Sequence, residues 1–300
     1  MKLPADFQKD QSLSKYTTFG IGGKAKYFIE INKIDDMKNV IAFCHSENIP
    51  YFIIGKGSNC LFDDRGFDGL VVANRIDFLE RPEECVFYAG AGYSFSLLGS
   101  QSARQGWSGL EFASGIPASV GGAVFMNAGA NGRETCESLE SVDFVTNEGK
   151  LVRLMRSEIE FSYRHSSFHQ RQGAIVAASF RLTPSDTARE KQLGIIDYRI
   201  KTQPYKDKSA GCVFRNPGNG IAAGALIDQS GLKGKSIGGA QVSLMHANFL
   251  VNTGTATAHD ILTLIDVIKK EVKAKTGYDL ENEVRCVPYS LQDHTINGKI

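Results

Sequence analysis

The chain has 300 residues, with 34 Lys+Arg against 33 Asp+Glu for a net charge of +1, and is 42% hydrophobic and 22% charged. These figures exclude a disulfide miniprotein, a disordered chain and a polyanion-binding surface; at roughly 150 residues per domain the length predicts two domains. Glycine stands at 31 and proline at only 8, so the glycine excess over a usual ~7% serves backbone geometry and not a linker.

The opening stretch, MKLPADFQKD, lacks the apolar run of about 7–15 residues that a secretory leader needs, and a cytoplasmic protein is expected. The six cysteines contain no C-x-x-C pair, which predicts neither disulfides nor a metal site. Taken in order, Ile34, Met37, Val40, Ile41 and Cys44 recur at helical spacing and predict a helix near Asn32 to Glu47,. Strands are predicted at Tyr51–Ile54, Leu70–Ala73 and Val86–Ala89, then a helix over Phe95–Arg104 ahead of Gly106,. The uncharged run Phe112 to Gly132 is broken by Pro117 and glycines, so it is a poor membrane span,. Ser141–Val145 and Leu151–Leu154 flank Thr146-Asn147-Glu148-Gly149 and read as a hairpin, and Ala174–Leu182 as another strand,. After the break at Pro184–Thr187 come a charged helix from Ala188 to Lys201, an amphipathic helix from His259 to Lys275 stopped by Gly277, and a strand at Val284–Pro288,. The class is mixed α/β, or α+β.

Two familiar glycine motifs fail. Gly20-Ile21-Gly22-Gly23-Lys24-Ala25 has polar residues before it and strand-like Tyr27–Ile31 after it, where a dinucleotide fingerprint needs a strand and then a helix,. Gly234-Lys235-Ser236 lacks the glycine five residues upstream, where Gln229 stands, so the phosphate loop is incomplete,. Two other segments suit a phosphate better. Gly55-Lys56-Gly57-Ser58-Asn59 follows a strand directly and lets successive backbone N–H groups face one point, with hydroxyl and amide donors beside them,. Ser114-Gly115-Ile116-Pro117-Ala118-Ser119-Val120-Gly121-Gly122-Ala123 is small enough for a flat ligand or its pyrophosphate to come close. Read alone, either segment is equally a tight turn or a close helix contact.

Together with Thr17–Gly23, Gly109-Leu110-Glu111-Phe112, Asn127-Ala128-Gly129-Ala130, Tyr163-Arg164, Ser209–Pro217, His246–Phe249 and Glu283-Val284-Arg285, these segments run in order through the chain. The whole resembles the UDP-N-acetylenolpyruvoylglucosamine reductase family, in its shorter second subtype. The resemblance implies an FAD-binding domain of the vanillyl-alcohol-oxidase (PCMH) type over residues 1–185, in lobes of about 1–70 and 71–185. A C-terminal α+β substrate-binding domain would then cover 186–300. It also implies non-covalent FAD as cofactor, NADPH as hydride donor, and UDP-N-acetylglucosamine enolpyruvate as substrate. A cytoplasmic monomer with no membrane or nucleic-acid partner is expected.

The same resemblance implies that Gly55, Lys56, Gly57, Ser58, Asn59, Ser114, Gly115, Ile116, Ser119, Gly121, Gly122 and Asn127 bind the cofactor. Tyr163, Arg199, Gln203 and Asn216 would contact the substrate, Arg199 and Gln203 lying four apart on one helical face, with Lys206 and Lys208 as basic neighbours. Hydride delivery to the enolpyruvyl ether builds negative charge toward the substrate carboxylate, and the adjacent carbon then needs a proton. Arg164 matches the family's catalytic arginine, and its planar fork suits a carboxylate,. Glu283 matches the catalytic glutamate, either polarising the carboxylate when protonated or orienting the proton donor. Cys212 stands where the family usually has serine; a thiol, which ordinarily titrates near ~8.5, is a stronger acid than an alcohol and preserves the step,. Taken singly, Arg164 reads as a surface arginine, Glu283 as an ion-pair partner, Cys212 as a small buried thiol and His246 as structural. The alternatives to the reductase are an FAD oxidase of the same superfamily and a nucleotide-sugar binder that has lost its catalytic groups.

Overall fold

The structure, a computed structural model, describes residues 6–218 and 220–291. Residues 1–5, part of the stretch read for a leader, lie outside the described residues. In chain order the first elements are β1 (Gln8–Ser12), β2 (Lys24–Ile31), α1 (Ile34–Ser46), β3 (Tyr51–Ile54), β4 (Cys60–Phe62), β5 (Gly66–Asn74), β6 (Leu79–Glu83) and β7 (Val86–Gly90). Next come α2 (Phe95–Arg104), α3 (Val120–Phe125), β8 (Leu139–Thr146), β9 (Leu151–Met155), β10 (Phe161–Ser162), β11 (His165–Ser166) and β12 (Gly173–Arg181). The last are α4 (Ala188–Thr202), α5 (Ala223–Gln229), β13 (Ser236–Ile237), β14 (Ala240–Val242), β15 (Leu250–Asn252), α6 (Ala258–Thr276) and β16 (Arg285–Val287). These elements form two compact units. One is built from Phe28–Lys56 and Leu70–Arg199, the other from Phe7–Tyr27, Gly57–Gly69 and the chain from Ile200 onward.

The first unit centres on an antiparallel sheet in the order β9-β8-β12-β7-β6. Strand β12 reads Gly-Ala-Ile-Val-Ala-Ala-Ser-Phe-Arg and is buried along nearly its whole length, as a central strand covered on both faces must be,. The edges differ in kind. On β9 exposed and half-buried positions alternate, whereas β6 carries Glu80, Arg81, Pro82 and Glu83, charges and a proline that discourage pairing with another chain,. Phe87, Phe95, Phe112, Phe144, Phe168 and Phe180 fill the core beneath α2 and α3. The hairpin turn between β8 and β9 has Gly149 at φ +79°, and a Cβ there would stand 2.7 Å from the Lys38 carbonyl oxygen of α1. Handedness and close approach both require glycine at that point. Elsewhere in the unit β3 runs parallel to β5, with Tyr51 opposite Leu70 and Ile54 opposite Ala73.

The second unit packs α6 over a small antiparallel sheet in the order β13-β14-β15, with Ile261, Leu264, Ile265, Ile268 and Val272 of α6 buried in its core. The helix starts in a capping box of Thr257 and Asp260 and stops, as the sequence predicts, at left-handed Gly277,. The Asp64 carboxylate also accepts from Ala258 N at 2.7 Å and His259 N at 3.0 Å, a favourable charge on the first turn,. Strand β4 pairs in parallel with β16, Cys60 opposite Arg285 and Phe62 opposite Val287. The Gly20–Gly23 segment lies between a 3-10 turn (Leu13–Tyr16) and β2, with no helix after it, and a Cβ on Gly23 would fall 2.3 Å from the Asp64 carbonyl oxygen. Its glycines serve chain packing, in keeping with the rejected dinucleotide motif.

Candidate active site

In the first unit, β3 ends at Ile54, and the carbonyl of the next residue, Gly55, accepts from Arg75 Nη1 at 2.7 Å. Lys56 Nζ donates to Ser94 Oγ at 2.8 Å, and burial holds the ammonium below the usual lysine range, partly offset by Asp77. Ser94 caps α2 and bridges Ser119, which caps α3. A Cβ on Gly55 would lie only 2.1 Å from Ser119 Oγ, so Gly55 and Ser119, from the two segments singled out in the sequence, meet here. Gly121 is forced by Ala91, whose Cβ would stand 2.8 Å away, and its N–H donates to the Ala91 carbonyl. Gly115 takes φ +84° and donates to Ser96 Oγ at 2.7 Å, while Ser114 Oγ lies 3.3 Å from Ser100 Oγ. Ile116 N and Ala118 N bond within the same loop. Gly55, the Lys56 ammonium and the hydroxyls of Ser94 and Ser119 are thus brought together in one unit, and these are donor types that phosphates take,.

Asn127 belongs to the same stretch but is fully buried, with its amide bonded to Glu134, Ser162 and Cys136. Tyr163 and Arg164 form the two-residue turn between β10 and β11, where Phe161 pairs with Ser166 and Ser162 with His165. Arg164 is in the left-handed region at φ 56°, and its Cζ lies 5.1 Å from the centroid of the exposed Tyr163 ring. Arg199 is buried on α4. Gln203 is not on that helix: α4 ends at Thr202, so the expected pairing of these two residues on one helical face is not present. The two also fall in different units.

In the second unit, Gly57 at φ +63° packs against Tyr16, whose carbonyl oxygen would be 2.0 Å from a Cβ, and its own carbonyl accepts from Thr18 N at 3.1 Å. Ser58 is half-buried beside it. Asn59 Nδ2 donates to the Glu283 carbonyl at 3.2 Å, and Arg285 N donates back to the Asn59 carbonyl at 3.0 Å. Glu283 N in turn donates to the Val213 carbonyl at 2.7 Å, next to Cys212. Residues some seventy positions apart in the sequence, Cys212 and Glu283, are therefore seated on adjoining backbone segments. Asn248 fixes this arrangement: its Oδ1 accepts from Phe214 N at 2.9 Å and its Nδ2 donates to Phe214 O at 2.8 Å. Gly211, at φ +76°, has open space where a Cβ would be, leaving room for a ligand to approach the backbone before Cys212. Asn216 is exposed, and its Oδ1 accepts from the N–H of Ala223, the first residue of α5, at 3.0 Å. His246 accepts from Asn248 N through Nδ1 at 3.2 Å and packs edge-on to Phe249; burial lowers its pKa, consistent with a structural, neutral imidazole.

Sequence reasoning did not single out Ser94 or Arg75, nor the task of Asn248. Ser94 has a local signal, an N-cap residue directly before a helix; Arg75 has none. Among the described residues no group of three His, Cys, Asp or Glu side chains is placed to hold a metal ion, and no helix is long and apolar enough to cross a membrane.

Residues 25–155 match the family profile of an FAD binding domain, and residues 203–287 that of the UDP-N-acetylenolpyruvoylglucosamine reductase C-terminal domain. The UDP-N-acetylenolpyruvoylglucosamine reductase of Protochlamydia amoebophila (strain UWE25) is 63% identical over 291 residues, which are 97% of this chain and 97% of that protein. The protein of the same name from Chlamydia pneumoniae is 47% identical over 295 residues, 98% of this chain and 96% of its own. The crystal structure of UDP-N-acetylenolpyruvylglucosamine reductase (MurB) from Thermus caldophilus is similar with a TM-score of 0.80 and 36% identity, over 92% of this chain and 97% of that one. With the mixed strand and helix architecture, the two domain matches and near-complete coverage by close relatives, the chain belongs to the UDP-N-acetylenolpyruvoylglucosamine reductase family.

Proposed function

We propose that this protein is an NADPH-dependent flavoenzyme that reduces UDP-N-acetylglucosamine enolpyruvate to UDP-N-acetylmuramate, a step in making peptidoglycan precursors. The observation that supports the reading, beside family membership, is the bond from Glu283 N to Val213 O, which brings the backbone segments that carry Cys212 and Glu283 next to each other. We assign residues 1–185 to FAD binding and 186–300 mainly to substrate. FAD, when bound, would supply the hydride-carrying chemistry between NADPH and the enolpyruvyl ether.

The chain's own residues do the rest. Gly55, Lys56, Gly57, Ser58, Asn59, Ser114, Gly115, Ile116, Ser119, Gly121 and Gly122 would cradle the cofactor, Lys56 adding a cation and the glycines close backbone approach. Arg164 presents two parallel N–H donors to the substrate carboxylate and stabilises the charge that gathers there as hydride arrives. Cys212 gives its thiol proton to the carbon next to that carboxylate, so hydride and proton together saturate the double bond. Glu283, whose backbone is held by Asn59 and Val213, would orient the thiol or share a proton with the carboxylate. Tyr163, Arg199, Gln203 and Asn216 are the further substrate contacts in this reading. It takes the protein to be a cytoplasmic monomer that needs no membrane or nucleic-acid partner.

The test is to supply FAD, NADPH and the enolpyruvyl substrate and to weigh the product. A sugar nucleotide heavier by two hydrogens, with one NADPH consumed for each, is expected. Oxygen consumption on an alcohol substrate, with the enolpyruvyl compound untouched, would point instead to the oxidase; binding without turnover would point to the inactive binder.

A further inference from the structure

Arg164 stands in a two-residue turn at φ 56°. A long side chain in the left-handed region costs about 1–2 kcal/mol and persists only where the surroundings determine it. Three ties do so, and all lead to the end of α3. The Ser162 carbonyl, just before the turn, accepts from Asn127 Nδ2 at 3.0 Å. Ser166 Oγ, just after it, donates to the Phe125 carbonyl at 2.6 Å. The His165 ring stacks on His169 at 4.6 Å, and His169 packs on Phe125 at 4.1 Å.

Asn127 is the member whose chemistry cannot be replaced. It too is left-handed, at φ 44°, and has no exposed surface. Its second amide hydrogen goes to Glu134 Oε2 at 2.8 Å, and its Oδ1 accepts from Cys136 N at 3.1 Å. Glycine, asparagine and aspartate tolerate this backbone conformation. Of the three only asparagine supplies two hydrogens for a carboxylate and a carbonyl together with an acceptor for an amide.

We propose that Asn127 is a positioning residue for Arg164: its amide ties the turn that carries the guanidinium to the helix that begins at the cofactor-side loop Ser119–Gly122. The proposal rests on the reading in which Arg164 engages the substrate carboxylate. With no exposed surface and its amide bonded to Glu134, Ser162 and Cys136, Asn127 acts in this proposal through the Ser162 carbonyl and not as the cofactor ligand that the resemblance implies.

The experiment uses the FAD-loaded enzyme and the variants Asn127→Gly, which keeps the backbone conformation, and Asn127→Asp, which keeps the acceptor but loses both donors. Both should bind FAD with wild-type affinity and be reduced by NADPH at the wild-type rate. Reoxidation by the enolpyruvyl substrate should slow by roughly 10- to 100-fold, the scale of a small displacement of a reacting group. Backbone hydrogen exchange in the peptide covering residues 161–166 should quicken in either variant, with or without flavin. Adding Arg164→Ala to either should slow reoxidation no further than Arg164→Ala does alone, because one acts through the other. Weakened FAD binding with a normal reoxidation rate in the filled enzyme would make Asn127 a cofactor ligand and overturn the proposal. Losses that multiply with those of Arg164→Ala would overturn it as well. Wild-type turnover in Arg164→Ala itself would instead remove Arg164 from the reaction and take this proposal down with that reading.

Discussion

Replacing Asn248 by alanine removes the two hydrogen bonds that clamp the Phe214 peptide, one accepted from its N–H at 2.9 Å and one donated to its carbonyl at 2.8 Å. Phe214 is 1% and Asn248 3% exposed, so bulk water does not reach the orphaned groups. Each buried polar group left unpaired costs about 1–3 kcal/mol, which places the loss at about 2–6 kcal/mol. The backbone bond from Val213 N to the Asn248 carbonyl survives the substitution, so the segment should loosen without detaching. Asn248→Asp keeps the acceptor for Phe214 N–H but turns a carboxylate toward the Phe214 carbonyl, and should lose at least as much at neutral pH. Urea unfolding of both variants measures the effect as a shift in midpoint at constant slope. Because Val213, between Cys212 and the clamped peptide, accepts the bond from Glu283 N, kcat should fall as well. An alanine variant within about 0.5 kcal/mol of wild type would match an ordinary surface change and refute the clamp.

Cys212→Ser should remain active, because a hydroxyl can fill the same proton-donating place, whereas Cys212→Ala should lose roughly 10²- to 10⁴-fold in kcat; steady-state NADPH oxidation decides, and an alanine variant at full rate removes Cys212 from the mechanism. Gly149→Ala forces a left-handed alanine against the Lys38 carbonyl, 2.7 Å from the new Cβ, and should cost about 1–3 kcal/mol in thermal or urea unfolding; an unchanged stability would show that the β8–β9 turn relaxes freely. Burial pushes the Asp143 carboxyl up, yet the fork of Arg153 at 2.7 and 2.9 Å and the Tyr88 hydroxyl bring it below its ordinary value of 3.8. Its folded pKa is depressed, so its contribution is fully present above the unfolded value and is lost as pH falls through the folded one. The Tm difference between wild type and Asp143→Asn should therefore shrink from about pH 5 toward pH 2, and a difference that holds constant over that range would contradict the assignment.

Local pattern was enough for much of the fold. Helix α2 occupies Phe95–Arg104 as predicted, the β8–β9 hairpin forms around Gly149, and α6 stops at Gly277, because caps, periodicity and turn residues act within a few positions of one another,. Strand β4 was not legible. Its three residues carry no periodicity of their own and become a strand by pairing with β16, far along the chain. Strand β6 was missed for the opposite reason: its charges and proline argue against a strand, and only the ladder with β7 makes it one. The grouping of residues 7–27 and 57–69 with the C-terminal part was hidden in the same way, since it depends on long-range pairings such as Cys60 with Arg285. In the candidate site, the glycine segments and the residues at 164, 212 and 283 could be named from motif order. The groups that hold them could not, because the bonds from Asn127 to Ser162 and from Asn248 to Phe214 join residues with no fixed spacing. Gln203 shows the limit of spacing arguments, since its helix stops one residue short of it.

The most direct measurement is an anaerobic colour cycle on the purified holoenzyme in a stopped-flow spectrometer. The account predicts a yellow protein that NADPH bleaches, that stays bleached without oxygen, and that regains its colour when the enolpyruvyl sugar nucleotide is mixed in. A protein that takes up no flavin, or a reduced flavin that the sugar nucleotide fails to reoxidise, would contradict it.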